Sequence, residues 1–237
     1  TSTINSKQEA TTITLSGGKD VDIYGRVVAG GVIGSNGVEF NGNDSVVNIN
    51  AGEQIFIDTA IVASKTIYIN TTEDTSSEDN NKALILTSAS GLTVAGNTSD
   101  NSGGNITINT VGDIEAIGMI LAGGSVTQTF DNDGNLETET FTWSEEDSFV
   151  DITSLGKVAI AGEVLDINNE AVEIGGVIRS KSGITIDAGI SNDGIGIYLP
   201  GSAKLVTYDV DSYIDLSSIG DAVLTGLIIA GGELVDY

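Results

Sequence analysis

The phrases "YGRVVAGG" at 24–31, "IGMILAGG" at 117–124 and "LTGLIIAGG" at 224–232 are three copies of one unit: a short run of aliphatic residues, a small residue, then a glycine turn. Looser echoes read "DTAIVASK" at 58–65, "IAGEVLDIN" at 160–168 and "IGGVIRSK" at 174–181. A chain that repeats one supersecondary phrase winds the same unit again and again. The reading that follows is a coiled β-structure.

A second phrase, Gly-x-Ile/Val-x-Ile in varied forms, stands at 104–108, 156–160 and 183–186 and tends to precede a glycine-turn phrase by about ten residues. Runs such as "TTITLSG" at 11–17, "SVVNINAG" at 45–52, "KTIYINT" at 65–71 and "GITIDAGI" at 183–190 alternate apolar and polar residues between Gly, Asn, Asp and Ser, the pattern of half-buried strands. Apolar periodicity of the helical kind is scarce. The fold class expected is all-β, a parallel β-helix (β-solenoid) with loop and hairpin excursions, forming one domain over 1–237. At about 20 residues per coil it would make about ten coils, a rod about 50 Å long. Ile23, Val27, Ile57, Ile61, Ile120, Ile160, Val177 and Ile228 are the expected core. Gly162 and Gly175 stand too close to open separate coils and are expected to mark two faces of one.

Three stretches read as excursions. Residues 70–82 and 96–104 are polar loops. Residues 126–143 alternate Thr and Phe around Asp131-Asn132-Asp133-Gly134-Asn135, and Asp-Gly between β-prone arms predicts a β-hairpin. Most of the large aromatic surface falls there, at Phe130, Phe141 and Trp143. These rings either pack on the flank of the solenoid or form a contact surface for a partner or glycan.

Composition narrows the chemistry. With 34 acids against nine bases the net charge is −25, which repels nucleic acid and anionic membrane surfaces alike. There is no Cys and no His, so zinc fingers, disulfide scaffolds, thiol catalysis and histidine acid–base chemistry are excluded. No apolar run is long enough for a transmembrane helix. A first residue of Thr1, without Met or signal peptide, is expected of a processed chain or a piece of a longer one. The four Asn-x-Ser/Thr triplets, at Asn43, Asn70, Asn97 and Asn105, fit an Asn/Thr-rich composition.

Calcium is the cation to consider. Asp131 and Asp133 begin like an EF-hand loop, but its twelfth position is Thr142 and not an acid, so the turn reading prevails. Acids at equivalent places on adjacent coils would stand ~5 Å apart, where each like pair costs about 0.8 kcal/mol in water and a divalent ion would reverse the sign. The clusters suited to this are Glu145, Glu146, Asp147 and Asp151, and Asp209, Asp211 and Asp215. The alternative for each is a solvated edge. No cofactor is required by any motif. With Arg26 and Arg179 the only arginines, and no nucleophile elbow or phosphate-binding glycine loop, catalysis is not expected. The rival is a carbohydrate-active β-helix enzyme, a polysaccharide lyase or hydrolase.

Taken together, the Gly-x-Ile-x-Ile strands and Ala-Gly-Gly phrases over 11–234 resemble the shaft repeats of filamentous haemagglutinin-type adhesins, the two-partner secretion family. The resemblance implies a bacterial or archaeal extracellular or cell-surface protein whose shaft is a parallel β-helix. The Asn-Pro motifs of that family's secretion domain are absent. A solenoid end offers unpaired strand edges to another chain, and a head-to-tail contact that does not close builds a filament. The expected function is a self-associating structural fibre subunit or adhesin shaft, with glycans as a further partner.

Overall fold

The computed structural model describes residues 3–34, 37–40, 43–73, 82–96, 101, 103–130, 136–166 and 168–232. It is a parallel β-solenoid. Three long sheets run along one axis, and among the described residues there is no helix. The chain visits the faces in a fixed cycle. A second-face strand such as Val46–Ala51 leads to a third-face strand, Ile55–Ile57, then to a first-face strand, Ala60–Ala63, and then one level on to Thr66–Thr71. The second face holds seven strands, from Thr12–Gly17 to Tyr213–Ser218. The third also holds seven, from Val21–Ile23 to Asp221–Leu224. The first holds eight, from Thr3–Ser6 to Leu227–Ile229.

Local pattern explains each face. Second-face strands alternate, so Ile49, Ile69, Ile108, Ile152 and Ile186 point inward and stack in register from coil to coil. All five are buried. Repeating the same aliphatic residue every ~4.8 Å lets branched side chains nest without voids. The first-face strands Arg26–Ala29, Ala60–Ala63 and Met119–Ala122 carry runs of three buried apolar residues, because their outward residues are covered too. Val28, Val62, Leu121 and Val206 face away from the core and are nevertheless buried. The hairpin strand Gly124–Phe130 lies against Gly91–Val94, and Gly31–Gly34 against Thr3–Ser6 and Arg26–Ala29. A strand buried on both sides reads as an unbroken hydrophobic run.

Several expectations are corrected. Among the described residues the solenoid has seven coils and not ten, and its seven-strand faces span about 30 Å. On the second face only the step from Val46 to Thr66 keeps the short spacing, and the other steps carry insertions. Ala161–Leu165 is not a coil strand. It pairs antiparallel with Ala171–Gly175, so Gly162 and Gly175 belong to opposite arms of one hairpin. Another hairpin, Gly31–Gly34 with Gly37–Phe40, follows the first Ala-Gly-Gly phrase. Val177 is half-buried, because the alternation turns Ile178 inward instead. Ile228 is 40% exposed, because no described coil lies beyond it. The other six expected core residues are buried.

The anticipated hairpin pairs Gly124–Phe130 with Leu136–Trp143. Its turn, with Asp131 and Asp133, lies outside the described residues, as do most of the polar stretches 70–82 and 96–104.

Candidate functional site

The corner between the first and second faces brings together residues of both acidic clusters singled out in the sequence. Its backbone turns at the glycine phrases, where Gly30, Gly96, Gly123 and Gly231 have φ of 76°, 82°, 85° and 73°. Side chains disfavour that left-handed conformation, which accounts for the recurrent glycine. Serines supply the corner's hydrogen bonds. Ser45 N–H donates to Ser64 Oγ at 2.9 Å and Thr11 N–H to Ser45 Oγ at 3.2 Å. Further along, Gly104 N–H donates to Ser148 Oγ at 3.0 Å and Ser148 N–H to Ser182 Oγ at 3.2 Å. Buried N–H groups that face no strand are thus satisfied. The sequence signal is a serine just before a second-face strand, at Ser45, Ser148, Ser182 and Ser212.

Asp147 and Asp209, members of different acidic clusters, meet here. The Ser182 hydroxyl lies 3.0 Å from Asp147 Oδ1 and 3.4 Å from Asp209 Oδ2. Its single proton serves one carboxylate at a time. Lys181 Nζ donates to the Glu145 carbonyl and stands 3.8 Å from Asp209 Oδ2. The other acids diverge. Asp151 and Asp215 share an outward column of the second face, but Thr185 separates them. Two strand spacings, ~9.6 Å, exceed what one ion bound at 2.3–2.6 Å can bridge. Glu145 and Asp211 are exposed and Glu146 is half-buried. Among the described residues no three acids come together as a metal-holding group.

Of the aromatic residues expected to form a contact surface, Trp143 stacks on Tyr208 with centroids 5.2 Å apart and planes 20° apart. Phe130 and Phe141 lie in the hairpin strands, and their side chains fall outside the description. Sequence reasoning missed a different pair. Phe149 and Tyr213 lean together over Gly183, centroids 6.3 Å apart. A Cβ on Gly183 would lie 2.6 Å from Tyr213 Cζ and 3.0 Å from Phe149 Cδ1, so the missing side chain is what seats the rings on the sheet. Beside them opens a groove of about 470 Å³ lined by Asp147, Ser182, Asp209, Asp211 and Ser212.

A second cleft, about 500 Å³, lies on the third face beside the hairpin formed by Ala161–Leu165 and Ala171–Gly175. Lys82 pairs with Glu115 at 2.5 Å, and the Asp113 carboxylate accepts from Lys157 N–H at 2.7 Å and from the Ser191 hydroxyl at 3.1 Å. Lys157 Nζ pairs with Asp193 at 2.9 Å; that ammonium, with the Ile195 N–H, holds the Asp193 carboxyl below its ordinary range. The Tyr198 hydroxyl donates to Glu173 Oε1 at 2.7 Å and latches the hairpin to the body. This bond to a carboxylate raises the Tyr198 phenol above its ordinary range.

The latch is therefore intact while the phenol is protonated and is lost as pH rises through its raised value. Tyr198→Phe is expected to quicken amide exchange in Ala161–Leu165 at neutral pH with little change in global stability, because the pair is exposed. Hydrogen exchange of the two proteins checks this; equal exchange would remove the latch.

The chain matches no protein-family model, no curated protein and no solved structure.

Proposed function

We propose that this chain is a structural element, a β-solenoid fibre subunit or adhesin shaft that extends by end-to-end association outside a bacterial or archaeal cell, and that it is not an enzyme. The observation that carries this reading is the stack of parallel coils along one axis, three sheets with one continuous aliphatic core, in which each coil is a template for the next. At one end Leu224, Leu227 and Ile228 are 40–43% exposed, although the residues they pair with one coil earlier, Leu199, Lys204 and Leu205, are buried or half-buried. At the other, Ile13, Leu15 and Val21 are only partly covered. Strand edges and aliphatic columns at both ends favour a further coil. The resemblance to adhesin shafts and the strongly acidic surface support the extracellular setting.

The topology adds a condition. A second copy continuing the second and third faces would bring its Thr3–Ser6 to the level already held by Leu227–Ile229 of the first, since the first face has one strand more than the others. One of these strands must leave. Thr3–Ser6 is the better candidate, being mostly exposed. Sedimentation and negative-stain microscopy, with and without Ca²⁺, are expected to reveal linear oligomers that grow with concentration. Removal of residues 3–6 should strengthen them, and Ile228→Asp should abolish them while the monomer stays folded. A protein that remains monomeric throughout, or an Ile228→Asp variant that still assembles, overturns the proposal.

The cleft on the third face favours a second reading, a carbohydrate-active enzyme. Release of new chain ends from an acidic polysaccharide would select it.

A further inference from the structure

We propose that the groove at the last corner of the solenoid is a saccharide-binding site, with Tyr213 and Phe149 as its stacking platform. This inference does not depend on self-association, because a single copy supplies every residue.

The platform follows from the glycine beneath it. Gly183 pairs in register between Phe149 and Tyr213 on the outer surface of the second face. The place of its missing side chain is taken by the two rings. Tyr213 is 46% exposed, so its ring is supported from below and open to solvent. A rigid ring held against a flat sheet is the surface that the C–H face of a pyranose covers, and little conformational freedom is lost in using it.

The groove's polar groups suit the rest of a sugar. Asp147, Asp209 and Asp211 offer carboxylate oxygens, and Ser182 and Ser212 offer hydroxyls. Carboxylates only accept hydrogen bonds, and sugar hydroxyls donate them. Asp147 and Asp209 share the one Ser182 proton and so retain acceptor capacity toward a ligand. The neighbouring cation, Lys181, already donates to the Glu145 carbonyl and lies beside Asp209. The Ser212 hydroxyl is oriented by the Thr207 hydroxyl at 2.8 Å and the Asp209 carbonyl. A few polar groups converging beside an aromatic surface in a cleft of a few hundred Å³ form a small-ligand site. Its three carboxylates select against uronic and sialic acids by like-charge repulsion, so the ligand class is a neutral glycan.

The test uses the full chain at concentrations where it is monomeric. Cellohexaose, chitohexaose, mannohexaose and hexagalacturonate are titrated by calorimetry. At least one neutral hexasaccharide is expected to bind, and hexagalacturonate is not. Tyr213→Ala should weaken that binding at least about tenfold, as loss of an aromatic stack does, and Tyr213→Phe should preserve it. The double variant Asp147→Asn, Asp209→Asn should weaken it while circular dichroism stays unchanged. Trp143→Ala should leave it intact, since that ring is already stacked on Tyr208. The proposal is overturned if no neutral hexasaccharide binds, if hexagalacturonate binds as well as the neutral probes, if Tyr213→Ala binds as the wild type does, or if a lysine-rich peptide is preferred to every sugar.

Discussion

Ile108→Ala is expected to cost about 2–5 kcal/mol of stability, and Leu216→Ala, at the same place in the last described coil, distinctly less. Ile108 is fully buried between Ile69 and Ile152, which pair with it in register on either side. Truncation there opens a cavity that neither neighbouring coil can collapse into, since both are held by ladder hydrogen bonds. Leu216 pairs with Ile186 on one side only and is partly buried. A residue already in partial contact with water loses less when shortened. Urea titration of the two variants checks the difference. Equal costs would contradict the stacked-column account, in which each coil is stabilised by its nearest neighbours.

The second large effect belongs to a glycine. Gly123→Ala is expected to cost about 2–4 kcal/mol, the sum of about 1 kcal/mol for a side chain in left-handed backbone and the loss of a corner hydrogen bond. With φ at 85°, its Cβ would fall 2.5 Å from Ser148 Cβ and 2.6 Å from Ser148 Oγ. Ser148 would have to move, and its hydroxyl is what accepts the Gly104 N–H. Gly194 is the control. Its φ is 84°, yet nothing lies within 4 Å of where its Cβ would be. Gly194→Ala should therefore carry only the backbone term, about 1 kcal/mol. Thermal or urea unfolding distinguishes the two, and similar costs would mean that the serine corner adds nothing.

Much of the architecture was legible because the two phrases encode different environments. Alternation in "KTIYINT" exposes one side of a strand, and the unbroken "RVVA" and "MILA" runs belong to strands covered on both. The hairpin at Gly124–Phe130 was legible from its Asp-Gly turn. The hairpin at Ala161–Leu165 was not, because "IAGEVLDIN" carries the same aliphatic signature as a coil strand. Val177 was misassigned for a related reason: where two aliphatic residues adjoin, as in Val177-Ile178, composition does not say which one faces inward.

The corner groove was less legible still. Glu145, Glu146, Asp147 and Asp209, Asp211 were visible as acidic runs, yet Asp147 and Asp209 meet at Ser182, which is 35 residues from one and 27 from the other. Phe149, Gly183 and Tyr213 had no sequence signal as a unit, since the spacing between them is set by whatever insertions the intervening coils carry.

Strand propensity, the alternation of side chains along each strand and the need for glycine at the turns were encoded in the chain itself, because β-alternation and backbone sterics act over a few residues. The number of coils, the partner of each strand and the residues that share a corner were decided by the closed tertiary structure. Coils of unequal length align only when their aliphatic columns come into register, and that alignment alone turns residues distant in sequence into neighbours.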